Sequence, residues 1–323
     1  MPTKHIIPGL DDPTCGIAVA AKQLMARGVG EDGEVWVHSM WTPFVIKASI
    51  KALLAGKRLV RMPHGCTDPT KLKHHWHKKR WVVPIERWLF RHADRIIATC
   101  EDEVEWIKSF EPMVKKVELV PLSSPIPHLS ANSSAIASAK AEASATADPS
   151  SPIPHPSSLK LLYVGRLHPL KGAEFLVEAL HAIQTTSDSL CPLRSLRLKV
   201  IGKDEGEGPK LRRMAADYNL DVEFCGIVSE ADKNAAYDWC DALVLPTLSE
   251  NFGLVVAEAL ERGKRVITTD GAPAWSPSAS ATGDKGDGNT YGGRLIYLRG
   301  YRDGSPEDRI RLLIDAITSL FNV

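Results

Sequence analysis

The stretch DALVLPTLSENFGLVVAEAL (residues 241–260) joins a short apolar strand to an apolar helix through a polar turn. Residues 242–245 are all apolar, which favours a buried strand, and a helical pattern begins at residues 252–254. Two glutamates, Glu250 and Glu258, lie beside or within the apolar helix. Because an unpaired buried carboxylate is costly, each one should have a partner or line a polar site. The stretch therefore predicts one βα unit of an α/β fold with a polar site at its turn.

The same alternation of strands and helices continues on both sides of this unit. Before it, helical patterns separate short strands in the order KHIIPGL, EVWVHSM, KRLVRMPHG, RIIAT, KVELVPL, LKLLYVGRL, LRLKVIGKDEG and VEFCGIV. After it come the strand KRVITTDG and a helix with Ser305 as its N-cap and Asp308 three residues later. This alternation predicts parallel sheets in two doubly wound units, which bind ligands at the carboxyl ends of their strands.

Composition divides the chain into two domains. Residues 123–158 are rich in Ser, Ala and Pro and contain the hexapeptide SSPIPH twice, so they lack the apolar residues that a core requires. We predict an N-terminal domain at 1–122, a flexible linker or insertion at 123–158, a C-terminal domain at 159–302 and a terminal helix at 303–323. A second loop is predicted at 276–293.

Charge and cysteine content exclude several classes of function. Forty Lys and Arg residues against 39 Asp and Glu residues give a net charge of +1, so the overall charge implies no nucleic-acid partner. The six cysteines are scattered, which favours reduced thiols in a cytoplasmic protein over a disulfide or zinc framework. The N-terminus lacks a signal-peptide pattern, and no apolar run is long enough to span a bilayer. We expect a soluble or peripheral protein.

Three loops in the second half carry groups that bind phosphate. The loop of YVGRLHPLKG contains an arginine and a lysine, and both side chains can donate charge-assisted hydrogen bonds. In VIGKDEGEGP, a glycine-rich loop lets the backbone approach a ligand. The helix that begins near residue 252 presents free N–H groups and the positive end of its dipole. The candidate phosphate site therefore contains Gly165, Arg166, Lys171, Gly202, Phe252, Gly253 and Leu254.

Five segments together resemble the retaining, GT-B-fold family-4 glycosyltransferases. GRLHPLKG, VIGKDEGEGP and PTLSENFGLVVAEAL carry the resemblance in the second half, and the last contains the family signature of two glutamates separated by seven residues. VHSMWTP and RMPHGCTDP are similar to the family segments H-x-x-W-x-P and P-H-G-x-x-D-P. The resemblance implies two Rossmann-like domains that face a central cleft, with the acceptor side in residues 1–122 and the nucleotide-sugar side in 159–302. It also implies a C-terminal helix that can return to the first domain.

The resemblance implies roles for residues of the second domain. Glu258 would bond the ribose hydroxyls of a nucleotide, and Glu250 would lie near the transferred sugar. Arg166 and Lys171 would neutralise the leaving diphosphate. The alternative is that the two glutamates are a helix-start acid and a solvent-facing residue, and that the two cations are ordinary surface charge.

In the first domain, the resemblance implies that Gly16 allows close approach to the phosphates and that His64 contacts the sugar near the reacting carbon. A lone histidine in such a loop is also often bonded to backbone. The chain departs from the family where Cys15-Gly16 replaces the usual pair of glycines. It departs in length too, since EVWVHSM follows the first helix without the usual extra strand and helix.

The function that the resemblance implies is retaining transfer of a hexose from a nucleotide diphosphate sugar to a glycan or glycolipid. The expected process is synthesis of cell-envelope polysaccharide or lipopolysaccharide, with a UDP-sugar favoured over a GDP-sugar. No cofactor or metal is expected, because no acidic DxD motif stands in a suitable loop. Two alternatives are a catalytically inactive sugar-nucleotide-binding or scaffold protein and a GT-B-fold sugar-nucleotide epimerase.

Residues 71–95 form a basic stretch with eight Lys or Arg, only two acidic side chains, and interleaved tryptophans. We predict that Lys78, Lys79 and Arg80 bind an anionic acceptor or the anionic inner face of a membrane. The alternative is a solvated helix whose aromatic side chains enter the core. The histidines of this stretch have no carboxylate or cysteine nearby in sequence that would complete a metal site, so no metal is predicted.

Overall fold

The computed structural model describes residues 3–10, 16–74, 76–120, 122, 158–186, 196–276, 290–291 and 294–320. Within these residues it contains two sheets, one on each side of the predicted linker. Nearly all of that linker, most of the predicted loop at 276–293, and Cys15 lie outside the described residues. The strand–helix alternation thus forms two α/β units, as predicted.

The first sheet has five parallel strands that neighbour one another in chain order. The strands are β1 (Lys4–Ile6), β2 (Glu34–His38), β3 (Arg58–Met62), β4 (Arg95–Ala98) and β5 (Val117–Leu119). The accompanying helices are α1 (Gly16–Ala26), α2 (Pro43–Leu54), α3 (Pro69–Lys73), α4 (Trp76–Lys79), α5 (Val83–His92) and α6 (Glu101–Phe110). Each of these five strands lies within one of the segments that the sequence predicted to be a strand.

Helices cover both faces of this first sheet. Because successive side chains of a strand point to opposite faces, neighbouring residues of β2 pack against different helices. Trp36 of β2 belongs to the buried cluster that contains Leu24 of α1. Its neighbour Val37 belongs to the cluster that contains Phe90 of α5 and Ile107 of α6. The strand order does not reverse, which differs from the doubly wound order expected for this domain. This difference in strand order follows from the short first half of the domain, in which β2 comes directly after α1 and pairs with β1.

The second sheet has the order β11-β12-β10-β9-β6-β7-β8 and is parallel except for the β11–β12 pair. Its strands are β6 (Leu159–Val164), β7 (Leu196–Ile201), β8 (Asp221–Gly226), β9 (Ala242–Leu245), β10 (Arg265–Thr269), β11 (Thr290–Tyr291) and β12 (Leu295–Leu298). Its helices are α7 (Ala173–Thr186), α8 (Gly208–Asp217), α9 (Glu230–Trp239), α10 (Leu254–Glu261) and α11 (Pro306–Ser319).

The order of the second sheet reverses between β6 and β9, which are hydrogen-bonded neighbours. Parallel sheets bind ligands in the crevice at such a reversal, beyond the carboxyl ends of the strands. The loops that follow Val164 and Leu245 flank this crevice. These two loops contain Arg166, Lys171 and Glu250, which the sequence analysis assigned to the site.

The C-terminal helix α11 remains with the second domain. Its capping box is the predicted one, with Ser305 accepting from the backbone N–H of Asp308. Leu313 and Ile317 are fully buried in the core cluster that also contains Leu176 and Leu180 of α7. The return of this helix to the first domain, which the resemblance allows, is therefore not observed, because its apolar face is covered by α7.

The two domains meet through the loops that follow β3, β4 and β9. Thr99 Oγ1 donates a hydrogen bond of 3.0 Å to Asn251 Oδ1 across the interface. Asp68 is fully buried, accepts a hydrogen bond from Ser249 Oγ and forms an ion pair with Arg302. The carboxyl ends of both sheets therefore face each other, which is the arrangement predicted for a central cleft.

Candidate active site

Lys171 and Glu250 form a buried ion pair at the strand reversal of the second sheet. Lys171 Nζ lies 2.6 Å from Glu250 Oε2 and donates a second bond of 3.1 Å to the Ser249 carbonyl. The lysine is 7% exposed and ends a short 3-10 helix, Pro169–Lys171. The next residue, Gly172, has φ +67°, and a Cβ there would overlap the carbonyl oxygen of the β9 loop. This close approach of two loops places the lysine beside the carboxylate.

The charges of this pair are set by burial and by a third residue. Burial opposes ionisation of Glu250, but Lys171 and then Lys71 outweigh it and hold the pKa of the carboxyl at about 2. Burial lowers the pKa of Lys171, and Glu250 opposes that effect. Lys71 belongs to α3 of the first domain, so both domains contribute positive charge to one place. No motif in the sequence singles out Lys71, because its place beside Glu250 depends on how the two domains meet.

Arg166 lies in the same loop as Lys171 but at the surface. Its Nη1 is 2.8 Å from Glu205 Oε2, and half of its side chain is exposed. Gly202, in the neighbouring loop, has φ +145°, and a Cβ at that position would lie 1.9 Å from the Gly165 carbonyl oxygen. Contact between two protein loops therefore requires this glycine, whereas the sequence suggested backbone contact with a ligand.

The turn leads into a helix, α10, as predicted, but the helix begins at Leu254 and not at Phe252. Gly253 adopts φ +69° and caps the helix that begins at Leu254, without a side-chain cap. Phe252 packs against Trp275, with ring centroids 5.6 Å apart, and also against the first-domain cluster that contains Leu24. The first helical turn of α10 thus retains N–H groups that no capping side chain satisfies, which suits an anion.

Glu258 has protein partners, which the sequence did not reveal. Tyr237 Oη donates a hydrogen bond of 2.8 Å to Glu258 Oε2, and Lys233 Nζ lies 3.2 Å from the same oxygen. Both partners belong to α9, and no motif marks them. The carboxylate is therefore tolerated in the apolar helix without a bound ribose, although it remains partly exposed. Its predicted contact with ribose stays a prediction.

His64 is buried and held in a left-handed backbone conformation, with φ +53°. Its Nε2 lies 2.9 Å from Nδ1 of His38, so its partner is a second histidine and not backbone. Burial, assisted by the charge of Lys71, lowers the pKa of His64 to about 3, so this ring is neutral at neutral pH. Glu103 fixes the loop by accepting hydrogen bonds from the N–H groups of Gly65 and Thr99.

Gly16 is the first residue of α1 and is exposed. A Cβ at this position would meet no atom within 4 Å, so packing of the described residues does not require a glycine there. Its predicted role, close approach to a phosphate, stays a prediction.

The basic stretch contains three short helices, α3 to α5, where the alternative interpretation had one solvated helix. Leu89 and Phe90 enter the core, whereas Trp76, Trp81 and Trp88 are exposed, Trp81 by 72%. Lys78 and Arg80 are exposed, and Lys79 lies over the ring of Trp41 while donating to the Lys71 carbonyl. The solvated-helix alternative therefore holds for the leucine and the phenylalanine but not for the tryptophans.

Two features are absent from the described residues, a metal-binding cluster and a membrane-spanning helix. No three His, Cys, Asp or Glu side chains in that part of the chain are grouped so as to hold a metal ion. No helix among these residues is both long and apolar enough to cross a bilayer.

Comparison with known proteins identifies the family. The profile for Glycosyltransferase Family 4 matches residues 5–122, and the profile for Glycosyl transferases group 1 matches residues 158–285. This chain belongs to glycosyltransferase family 4. The two matches lie on the two sheets and leave out the segment that the sequence assigned to a linker.

A curated relative and two solved structures are similar to this chain. It is 32% identical over 117 residues to the D-inositol 3-phosphate glycosyltransferase of Pseudarthrobacter chlorophenolicus; the match covers 35% of this chain and 27% of that relative. The protein thus spans about a quarter of the length of that curated relative. WaaG, a glycosyltransferase involved in lipopolysaccharide biosynthesis, superimposes with a TM-score of 0.65 at 14% identity over 98% of this chain and 90% of WaaG. HepE of Anabaena, solved with UDP and glucose, gives 0.57 at 17% identity over 96% and 76%. These neighbours establish the GT-B fold.

Proposed function

We propose that this protein transfers a hexose, with retention and without a metal, from a nucleotide diphosphate sugar to a glycan or glycolipid. The observation that carries the proposal is the cluster of Lys171, Glu250 and Lys71 at the strand reversal, where such folds bind ligands. A UDP-sugar is the proposed donor, and the complex of HepE with UDP and glucose supports this choice.

Catalysis in this proposal is electrostatic. As the bond from the sugar to the diphosphate breaks, negative charge grows on the leaving group. Lys171 and the N–H groups at the start of α10, which have no side-chain cap, would stabilise this charge, and Arg166 would join them by leaving Glu205. Glu250 then exchanges part of its contact with Lys171 for hydroxyls of the sugar. The sugar passes through an oxocarbenium-like state, and the acceptor attacks from the face that the diphosphate leaves.

The acceptor is proposed to be a cell-envelope glycan or glycolipid, and the similarity to WaaG supports this class. An inositol phosphate is a second candidate, favoured by the match to the inositol phosphate glycosyltransferase. Incubation with UDP-glucose and each acceptor class, followed by mass spectrometry, tests the function. A hexosylated product supports it. Hydrolysis or epimerisation of the donor alone would favour a different activity.

Nucleoside diphosphate binding is expected not to require a divalent metal. Positive charge is already supplied by Lys171, Lys71 and the α10 N-terminus, so a cation is not needed to neutralise the diphosphate. Titration of UDP by calorimetry, with and without EDTA, should give the same Kd within a factor of two or so. Complete loss of binding in EDTA would contradict metal independence.

Replacing Glu258 with alanine is expected to weaken UDP binding about tenfold, because a charge-assisted hydrogen bond contributes about 1.5 kcal/mol or more. Glu261→Ala, on an exposed face of the same helix, is the matched control and should bind normally. Because Glu258→Ala also removes the partner of Tyr237, the melting temperature is measured in parallel. Parental UDP affinity in a folded Glu258→Ala protein would show that the ribose assignment is wrong.

The exposed basic and aromatic surface is proposed to contact an anionic membrane that carries the acceptor at its inner face. Replacement of Lys78, Lys79 and Arg80 with glutamine should lower sedimentation with phosphatidylserine vesicles, since each basic residue near such a surface contributes about 1 kcal/mol. The loss should shrink as salt rises. UDP affinity should not change. Equal vesicle binding by the parent and the triple variant would show that this surface faces solvent and does not bind the membrane.

A further inference from the structure

Three histidines from neighbouring strands form a continuous hydrogen-bonded row. His5 lies in β1, His38 ends β2, and His64 follows β3. His5 Nδ1 is 3.0 Å from His38 Nε2, and His38 Nδ1 is 2.9 Å from His64 Nε2. The rings stack with centroids 5.3 and 5.2 Å apart. The row therefore runs from a partly exposed ring, through a fully buried one, to the ring predicted to contact the sugar.

The tautomer of the middle ring, His38, determines which nitrogen of His5 and of His64 donates and which accepts. A neutral imidazole has one donor nitrogen and one acceptor nitrogen, and His38 uses both. If His38 donates to His64, it must accept from His5, and the reverse holds in the opposite tautomer. The hydrogen bonds of the row can therefore all point toward His64 or all point toward His5, and this direction is the polarity of the row. Nδ1 of His64 has no hydrogen-bond partner among the described residues and is left as the terminal atom of the row.

The surroundings disfavour a lasting charge in the row. Burial lowers the pKa of His38 and of His64, and burial also lowers that of His5 against the opposing charge of Glu34. The charge of Lys71, in α3, adds to burial in disfavouring a proton that stays on His64. At the other end, the charge of Glu34 acts on His5, and Glu34 is itself paired with Arg95 at 2.9 Å.

We infer that this row conducts the acceptor hydroxyl proton away from the site to solvent at His5. The inference rests on the proposed transferase function. During transfer the sugar–phosphate bond breaks with its electrons on the diphosphate, and the acceptor oxygen bonds to the sugar as its O–H bond breaks. The proton goes to His64 Nδ1, the Nε2 proton of His64 passes to His38 Nδ1, and the Nε2 proton of His38 passes to His5 Nδ1.

His5 then releases its own Nε2 proton to water, so that one proton enters, one leaves, and no ring keeps a charge. The row is left with its polarity reversed. It resets when products leave: His64 Nδ1 gives its proton to water, the Nδ1 proton of His38 returns to His64 Nε2, the Nδ1 proton of His5 returns to His38 Nε2, and His5 Nε2 takes a proton from bulk solvent. His38 and His5 act through His64 and are positioning residues for proton movement.

The test compares His38→Gln and His5→Gln, because glutamine donates and accepts hydrogen bonds but does not relay a proton. Both variants should bind UDP as the parent does and lose about 100-fold or more in kcat. Added imidazole should restore the partly exposed His5→Gln site and not the buried His38→Gln site. His92→Gln, an exposed histidine, is the control and should keep full activity.

A kcat within twofold of the parent for His38→Gln, in a protein that transfers sugar, would overturn the relay and leave the proposed function intact. Absence of transfer by the parent itself would instead overturn the proposed function and the relay with it. If His38→Gln fails to fold, long-range 1H–15N spectra of the parent imidazoles decide. The relay predicts three neutral rings at pH 6 with matched tautomers, and an imidazolium at His38 would contradict it.

Discussion

Replacing Lys171 with methionine is expected to lower kcat about 10²–10³-fold, which is the usual cost of removing one group that stabilises developing negative charge. The ammonium is buried, lies 2.6 Å from Glu250 and is fixed by the Ser249 carbonyl, so solvent would not replace it. UDP affinity should fall less than kcat, because the charge on the leaving group is greatest in the transition state. Steady-state kinetics and calorimetry on the same preparation measure both quantities.

Two controls separate chemistry from folding in this experiment. Lys171→Met leaves Glu250 without its nearest cation, so Lys171→Met/Glu250→Gln is included to remove the unpaired charge. Lys210→Met, at an exposed lysine of α8, is the matched control and should keep parental kcat. A folded Lys171→Met protein with a kcat within threefold of the parent would contradict the assigned role.

Replacing Glu86 with alanine is expected to destabilise the protein by about 3–5 kcal/mol, the cost of leaving a buried charge without its partner. Glu86 and Arg61 are both 0% exposed, and Arg61 Nη2 lies 2.8 Å from Glu86 Oε2. The other carboxylate oxygen accepts a hydrogen bond from the backbone N–H of Trp41, which adopts φ +71°. Urea unfolding, followed by tryptophan fluorescence, gives the difference in the free energy of unfolding.

The double variant Arg61→Met/Glu86→Gln should recover most of this loss, because it removes both charges and keeps an acceptor for Trp41. The exposed ion pair of Arg58 and Glu31 is the matched comparison. Glu31→Ala should not change stability measurably, since solvent screens exposed pairs. Similar losses for Glu86→Ala and Glu31→Ala would show that burial does not govern these pairs.

The sequence predicted the local elements well because their signals are local. The stretch 241–260 forms β9 and α10, with Gly253 at the helix cap. Ser305 and Asp308 form the predicted capping box. These features depend on periodicity and on side chains within a few residues, which a single sequence displays. The family resemblance was likewise confirmed by profiles that match both halves.

Contacts between distant segments could not be predicted in this way. Asp68 and Arg302 form an ion pair between the two domains, and no pattern in either segment predicts this contact. Glu258 has protein partners on α9 in addition to the ribose that the resemblance implies, and no motif marks those partners. The order of the first sheet depends on which strands pair, and alternation alone does not specify pairing. Such features follow from tertiary packing.

The histidine row shows the same limit at the site itself. His64 was singled out through its motif, but His5 and His38 become its neighbours only because β1, β2 and β3 lie side by side. A bond to backbone was the alternative for His64, and the structure gives it an imidazole partner instead.

The proposed enzyme cleaves a UDP-sugar with retention, and the positive charge of Lys171 stabilises the leaving diphosphate. Proton NMR of UDP-glucose, incubated with concentrated protein in EDTA and without acceptor, tests this mechanism most directly because water then takes the acceptor's place. We expect UDP to appear together with α-glucose before mutarotation, and we expect Lys171→Met to slow the release of both about 100-fold or more. Initial release of β-glucose, or release at equal rates by the parent and Lys171→Met, would contradict this mechanism.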